Sequence, residues 1–201
     1  MPGTTSSWLD ALEVAAPTAV AAFRGIEAGR FLSVRREVRR GAGPGSAMLV
    51  VAELAAIVAA VEALVRRLPE VAFAAPGGEE DWTVAEAIGH DADSRAGLAM
   101  AGALAASHRF PVDSPAVVPG IPGEHGHGRE ALVRRLAASQ RIVERAARSI
   151  AGHEEDPCPL EHPLVGRLRC GEWLLFAGVH DLMHLEQLHA IAVQFDGAAA
   201  S

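Results

Sequence analysis

The stretch GVHDLMHLEQLHAI, residues 178–191, carries three histidines close to the end of the chain. Residues four apart on a helix lie over one another on one side. His184 falls about 40° round from His180, and Gln187 about 20° to the other side. Trp173, Phe176, Met183 and Ile191 share that stripe, so His180 and His184 stand in the middle of an apolar face. His189 falls about 180° away, on the side expected to meet solvent. Two neutral imidazoles at i and i+4 can converge on one divalent ion through their ring nitrogens. The same pair also reads as core histidines bonded to nearby carbonyls, because an unsatisfied buried imidazole costs a few kcal/mol. On these residues alone the two readings stand level.

A divalent ion needs a third ligand. The run H-D-L-M-H matches the zincin pattern H-E-x-x-H with Asp181 in place of the Glu. That peptidase reading is the weaker one: Asp is a methylene shorter, and of Glu186, His189 and Asp196 downstream the first two face away. His90, in DWTVAEAIGHDADS (81–94), is the better third ligand. Glu86, Ala87, Asp93, Ser94, Gly97 and Ala101 share its helix face, and the small residues leave a concavity around the imidazole. Glu86 and Asp93 are candidate acceptors behind a ligand or, as the weaker reading, a fourth ligand, and candidate bases for a bound water. Glu86 also stands at capping-box spacing from Thr83, and a helix cap is its plainer reading. The unit Cys158-x-x-x-His162 with Cys170 fits no common structural zinc site. His125 and His127, in GEHGHG, read as solvated loop residues.

The elements that must position these side chains are helical. Half of the 201 residues are hydrophobic but only 4% are aromatic, and Tyr is absent. Ala and Leu therefore build the core, and both are strong helix formers. Four long helical patterns are expected, at 47–68, about 81–106, 129–150 and about 171–195. Two loops, 107–128 and 152–170, join the last three, and no strand of convincing length is expected. Ser139 and Gln140 fall on the inner stripe of the third pattern. They are expected to line a small-molecule pocket with Gln187, or else to hydrogen-bond between helices. The run AMLVVAELAAIVAAVEALV (47–65) is long enough to cross a membrane. Its broad stripe from Val50 to Leu68, bordered by Glu53 and Glu62, reads instead as an amphipathic helix facing a protein core. GAGPGS (41–46) sets off residues 1–46, helical in pieces interrupted at Pro17 and near Gly25 and Gly29. The division expected is an N-terminal helical extension, 1–46, and an all-α four-helix bundle, 47–201.

All 18 basic residues are Arg, and the formal charge of -7 argues against nucleic acid as the main partner. RREVRR (35–40) reads as a solvated helix face. Two cysteines make no disulfide framework, and no signal-peptide pattern opens the chain, so cytoplasmic is the default.

WTVAEAIGH (82–90), HPLVG (162–166), EWLLF (172–176) and H-x-x-x-H-x-x-Q-L (180–188) together resemble the DinB/YfiT-like family of metalloenzymes. The resemblance covers about residues 47–195. It implies a four-helix bundle in which His90, His180 and His184 hold one divalent metal, with positions left open. Imidazole ligands suit Zn, Ni and Fe alike. The resemblance further implies chemistry on a low-molecular-weight thiol, of S-transferase or isomerase type, with a small-molecule substrate and a homodimer. Metal-dependent hydrolysis, with Glu86 or Asp93 as base, is the alternative, as is a metal-stabilised bundle that binds without turnover. His162 resembles the family's H-P turn before the last helix, a structural role. Asp91 departs from the pattern: the position after the first ligand is usually apolar.

Overall fold

Thr83 opens the helix that bears His90. Its hydroxyl accepts from the Glu86 N–H at 3.3 Å, and the Glu86 carboxylate accepts from the Thr83 N–H at 2.7 Å. This reciprocal cap satisfies donors left over at a helix start. The computed structural model describes residues 7–26, 31–78, 82–119 and 128–198. Asp81, His125 and His127 lie outside the described residues. Within them, three short helices, α1 (Ser7–Glu13), α2 (Pro17–Phe23) and α3 (Leu32–Gly41), precede four long ones: α4 (Ala47–Arg67), α5 (Val84–Ala106), α6 (Arg129–Ile150) and α7 (Cys170–Ala198). Pro17 sits at the first turn of α2, where its missing N–H costs nothing, so it starts a helix as well as interrupting one. α4 stops at Leu68, held extended ahead of Pro69.

The four long helices form an all-α bundle in which α4 and α5 lie diagonally opposite, each packed on α6 and α7. Residue pairs give the directions. Asp91 meets His180 while Gly102 meets Cys170, so α5 and α7 are antiparallel. Asp93 meets Arg135, Arg95 meets Ser139 and Gly102 meets Ile150, so α5 and α6 run the same way. Two consecutive parallel helices need a connection that travels back along a whole helix, about 34 Å for α5. That distance falls to the residues between Ala106 and Arg129. Part of the connection is pinned where Val118 N–H donates to the Glu161 carbonyl at 2.9 Å and Glu161 N–H donates to the Ala116 carbonyl at 2.8 Å.

Where no strand was expected, a short antiparallel hairpin joins α6 to α7: β1 (Pro157–His162) and β2 (Gly166–Arg169). Pro157 and Pro159 hid it, because proline argues against a paired strand, and here the register shifts between Pro157 and Glu161. α7 follows directly from β2. Its first N–H groups donate to the Asp156 and Glu154 carbonyls at 3.0 and 2.9 Å, so the loop satisfies the helix start.

The N-terminal helices share the bundle's core, with Leu9, Val20, Phe23, Val34 and Val38 in the same apolar cluster as Leu54 and Trp173. Glu53, at the border of the α4 stripe, is buried, and its carboxylate accepts from Thr18 and Ala19 N–H at 3.0 and 2.9 Å. A carboxylate at a helix start is favoured by the free N–H groups and the dipole. Trp8 stacks on His189 at 5.0 Å, so the face of α7 expected to meet solvent is partly covered by α1. α4 is long and apolar enough to cross a membrane, and here its apolar stripe, including Leu54, Ile57 and Val61, is buried in the bundle.

Candidate metal centre

The antiparallel pairing of α5 and α7 brings His90 against His180 and His184. Ring centroids lie 5.4 Å (His90–His180), 5.2 Å (His90–His184) and 4.6 Å (His180–His184) apart. One ring nitrogen from each lies within 4.8 Å of the other two. Two metal–nitrogen bonds of about 2.1 Å span at most about 4.2 Å, so small side-chain rotations bring all three onto one ion. Gln187 orients His184: its Oε1 accepts from His184 Nδ1 at 2.9 Å, while its Nε2 donates to the Gly77 carbonyl. That places the proton on Nδ1 and leaves Nε2 of His184 as the ligand atom. Trp82 lies 4.7 Å from the His90 ring, and Ser94 Oγ is 3.3 Å from His90 Nε2.

Behind the imidazoles lies a buried ionic group that the sequence reading did not assemble. Arg95 and Asp181 are both fully buried, and Arg95 Nε donates to Asp181 Oδ2 at 2.8 Å. The rest of the guanidinium donates to Ser139 Oγ and Gln140 Oε1, each at 3.0 Å, and to the Leu54 carbonyl at 3.3 Å. Asp91 is fully buried as well, with Oδ1 3.8 Å from His180 Nδ1. Both Asp91 oxygens, Asp181 Oδ1 and His180 Nδ1 make no hydrogen bond among the described residues. Burial pushes both aspartates above the usual carboxylate range; His184 and then Arg95 oppose this at Asp91, while at Asp181 Arg95 opposes it and the facing Asp91 adds to it. Burial also lowers His180 to about 3, which keeps the ring neutral and available as a ligand. A sequence signal existed: Asp91 and Arg95 stand at i and i+4, and Asp181 directly follows a ligand candidate. α5 is buried nearly all round, so no polar face made the pair conspicuous.

The imidazoles open onto a cavity of about 390 Å³, walled by Leu98, Val118, Leu160, Leu164, Trp173 and Met183 among others. His162 lines it too. Its Nδ1 accepts from the Leu164 N–H at 3.2 Å, so its proton sits on Nε2, and burial lowers it to about 4. No carboxylate lines the cavity among the described residues. Glu86, a candidate base, holds the Thr83 N–H and hydroxyl, both at 2.7 Å. Asp93, the other, is paired with Arg135 through both oxygens at 2.8 and 2.5 Å. Ser139 and Gln140 hold Arg95 instead of lining the cavity, and Gln187 acts on His184. The carboxylate facing a ligand ring from behind is therefore Asp91. It points toward α7, whereas Asp93 pairs with Arg135 of α6 and Glu86 caps the start of its own helix.

The fold and these side chains define a helical bundle with three imidazoles converging at the floor of an apolar cavity. The chain belongs to the DinB superfamily, whose family model matches residues 75–188, more than half of its length. No curated protein and no solved structure matches the chain. The residues present fit a divalent metal: the ring nitrogens converge, burial keeps His180 neutral, and uncompensated carboxylate oxygens lie behind it.

Proposed function

We propose that this chain is a metal-dependent enzyme that uses a low-molecular-weight thiol in S-transfer or isomerisation of a small, apolar substrate. The observation that carries the reading is a three-histidine cluster opening onto a cavity that no carboxylate of the described residues lines. A divalent metal held by His90, His180 and His184 supplies the positive charge that keeps a thiol sulfur deprotonated near neutral pH. Both a bound thiol and a bound water must give a proton to solvent or a base, but a thiol is already partly ionised near neutral pH and needs less help than water. Glu86 and Asp93, the candidates for that role, are engaged in a helix cap and an ion pair. The side chains around the cavity supply shape: Leu98, Leu160, Trp173 and Met183 exclude water and hold an apolar body. His162, neutral with its proton on Nε2, offers a hydrogen-bond donor to an oxygen of the substrate.

The test is a screen of protein loaded with Zn²⁺, Ni²⁺ or Fe²⁺ against glutathione, mycothiol, bacillithiol and coenzyme A, with an apolar electrophile as acceptor. Metal-dependent loss of free thiol is expected for S-transfer and thiol-dependent conversion of the acceptor for isomerisation, and either should vanish in the His184→Ala variant. Absence of both turnover and binding for every thiol overturns the reading.

A further inference from the structure

The group behind His180 sets two buried carboxyl groups against one guanidinium. Arg95 offsets one carboxylate, that of Asp181, at 2.8 Å. Asp91 has no cation of its own at hydrogen-bond distance, is fully buried, and presents two oxygens with no donor. An isolated buried carboxylate is among the costlier arrangements in a protein interior. Facing Asp91 are the Asp181 carboxyl and Nδ1 of His180, and that nitrogen is the nearby group able to donate, itself buried and without a hydrogen-bond partner. With Nδ1 turned to Asp91, Nε2 is the nitrogen of His180 left for the point shared with His90 and His184. His180 accordingly belongs to two potential ligand groups, one with His90 and His184 and one with Asp91 and Asp181.

We infer that Asp91 is a positioning residue of the metal centre, accepting the Nδ1–H of His180 and setting its Nε2 toward the ion. The inference rests on the metal reading above and concerns this chain's own departure at the position after His90. The separation of 3.8 Å closes to a hydrogen bond with a movement of about 1 Å. A carboxylate behind a ligand imidazole fixes the tautomer and makes the ring a stronger donor to the metal, and losing such a partner typically weakens metal affinity about 10–100-fold. An ionised Asp91 offsets part of the charge of a dication held by three neutral rings. Asp91 thus raises the energy of the metal-free protein and lowers that of the loaded one.

That opposition separates positioning from a merely structural role. Asp91→Asn keeps the shape and removes the charge. Zn²⁺ titration against a competing chelator should show affinity at least about tenfold weaker, while the melting temperature of the metal-free variant stays at or above that of the native chain. Asp181→Asn is the contrast: it strips Arg95 of its carboxylate, so the metal-free melting temperature should fall. Unchanged Zn²⁺ affinity in Asp91→Asn overturns the inference, as does a metal-free melting temperature that falls as it does in Asp181→Asn. If the native chain takes up no Zn²⁺, Ni²⁺ or Fe²⁺, the reading of a metal centre fails first, and the role of Asp91 with it.

Discussion

At the scale of single residues, the two thiols illustrate how burial settles reactivity. Burial raises Cys158, whose sulfur lies 3.7 Å from the Ala101 carbonyl, and pushes Cys170 up to about 12. The thiolate is the reactive form, so both residues remain inert thiols well above neutral pH. At about pH 8 a disulfide reagent should label neither in the folded protein and both after denaturation; rapid labelling of the folded chain would show that one is accessible. Any thiol consumed in catalysis must then be supplied from outside the protein. The three imidazoles were legible in the sequence because helical periodicity puts His180 and His184 on one stripe. Asp91 was harder to read, since its value depends on which side of α5 the α7 helix covers, and nothing local in the chain specifies that.

At the scale of elements, the centre depends on how closely α5 approaches α7. Gly102 permits that approach: a Cβ there would lie 2.6 Å from the Cys170 carbonyl oxygen and 3.1 Å from Ile150 Cδ1. Gly102→Ala forces the helices apart where backbone meets backbone. Overpacking of this kind costs roughly 1–3 kcal/mol. The urea midpoint should drop accordingly, and Zn²⁺ affinity should weaken with it, because His90 sits on one helix and its partners on the other. An unaltered midpoint would mean that the contact relaxes without cost. Periodicity and the Thr83 cap made the long helices readable, whereas the hairpin was not: β1 carries two prolines and β2 is four residues long. Its stability comes from pairing with the crossover and packing on α5, which are contacts between distant parts of the chain.

At the scale of the whole molecule, metal and fold should stabilise one another. A ligand that binds only the folded state adds about 2.7 kcal/mol when its free concentration is a hundred times its dissociation constant. Urea unfolding of Zn²⁺-loaded protein should shift downward by about that amount on adding a chelator, and His184→Ala should show no shift. The N-terminal helices belong to the same cooperative body, because Glu53 ties the start of α2 to α4 and Trp8 rests on His189. Glu53 looked like an ordinary border residue in the sequence, and only the arrival of α2 gives its carboxylate two N–H donors. The cavity, by contrast, draws on the two connections. Val118 and Pro119 come from the crossover, and Leu160, Pro163 and Leu164 from the hairpin. The imidazoles hang from rigid helices while much of the opposite wall is built from loop and hairpin. Rewriting those few positions would change which guests the chamber admits and leave the imidazoles at its floor untouched, so one scaffold can be retargeted without being rebuilt.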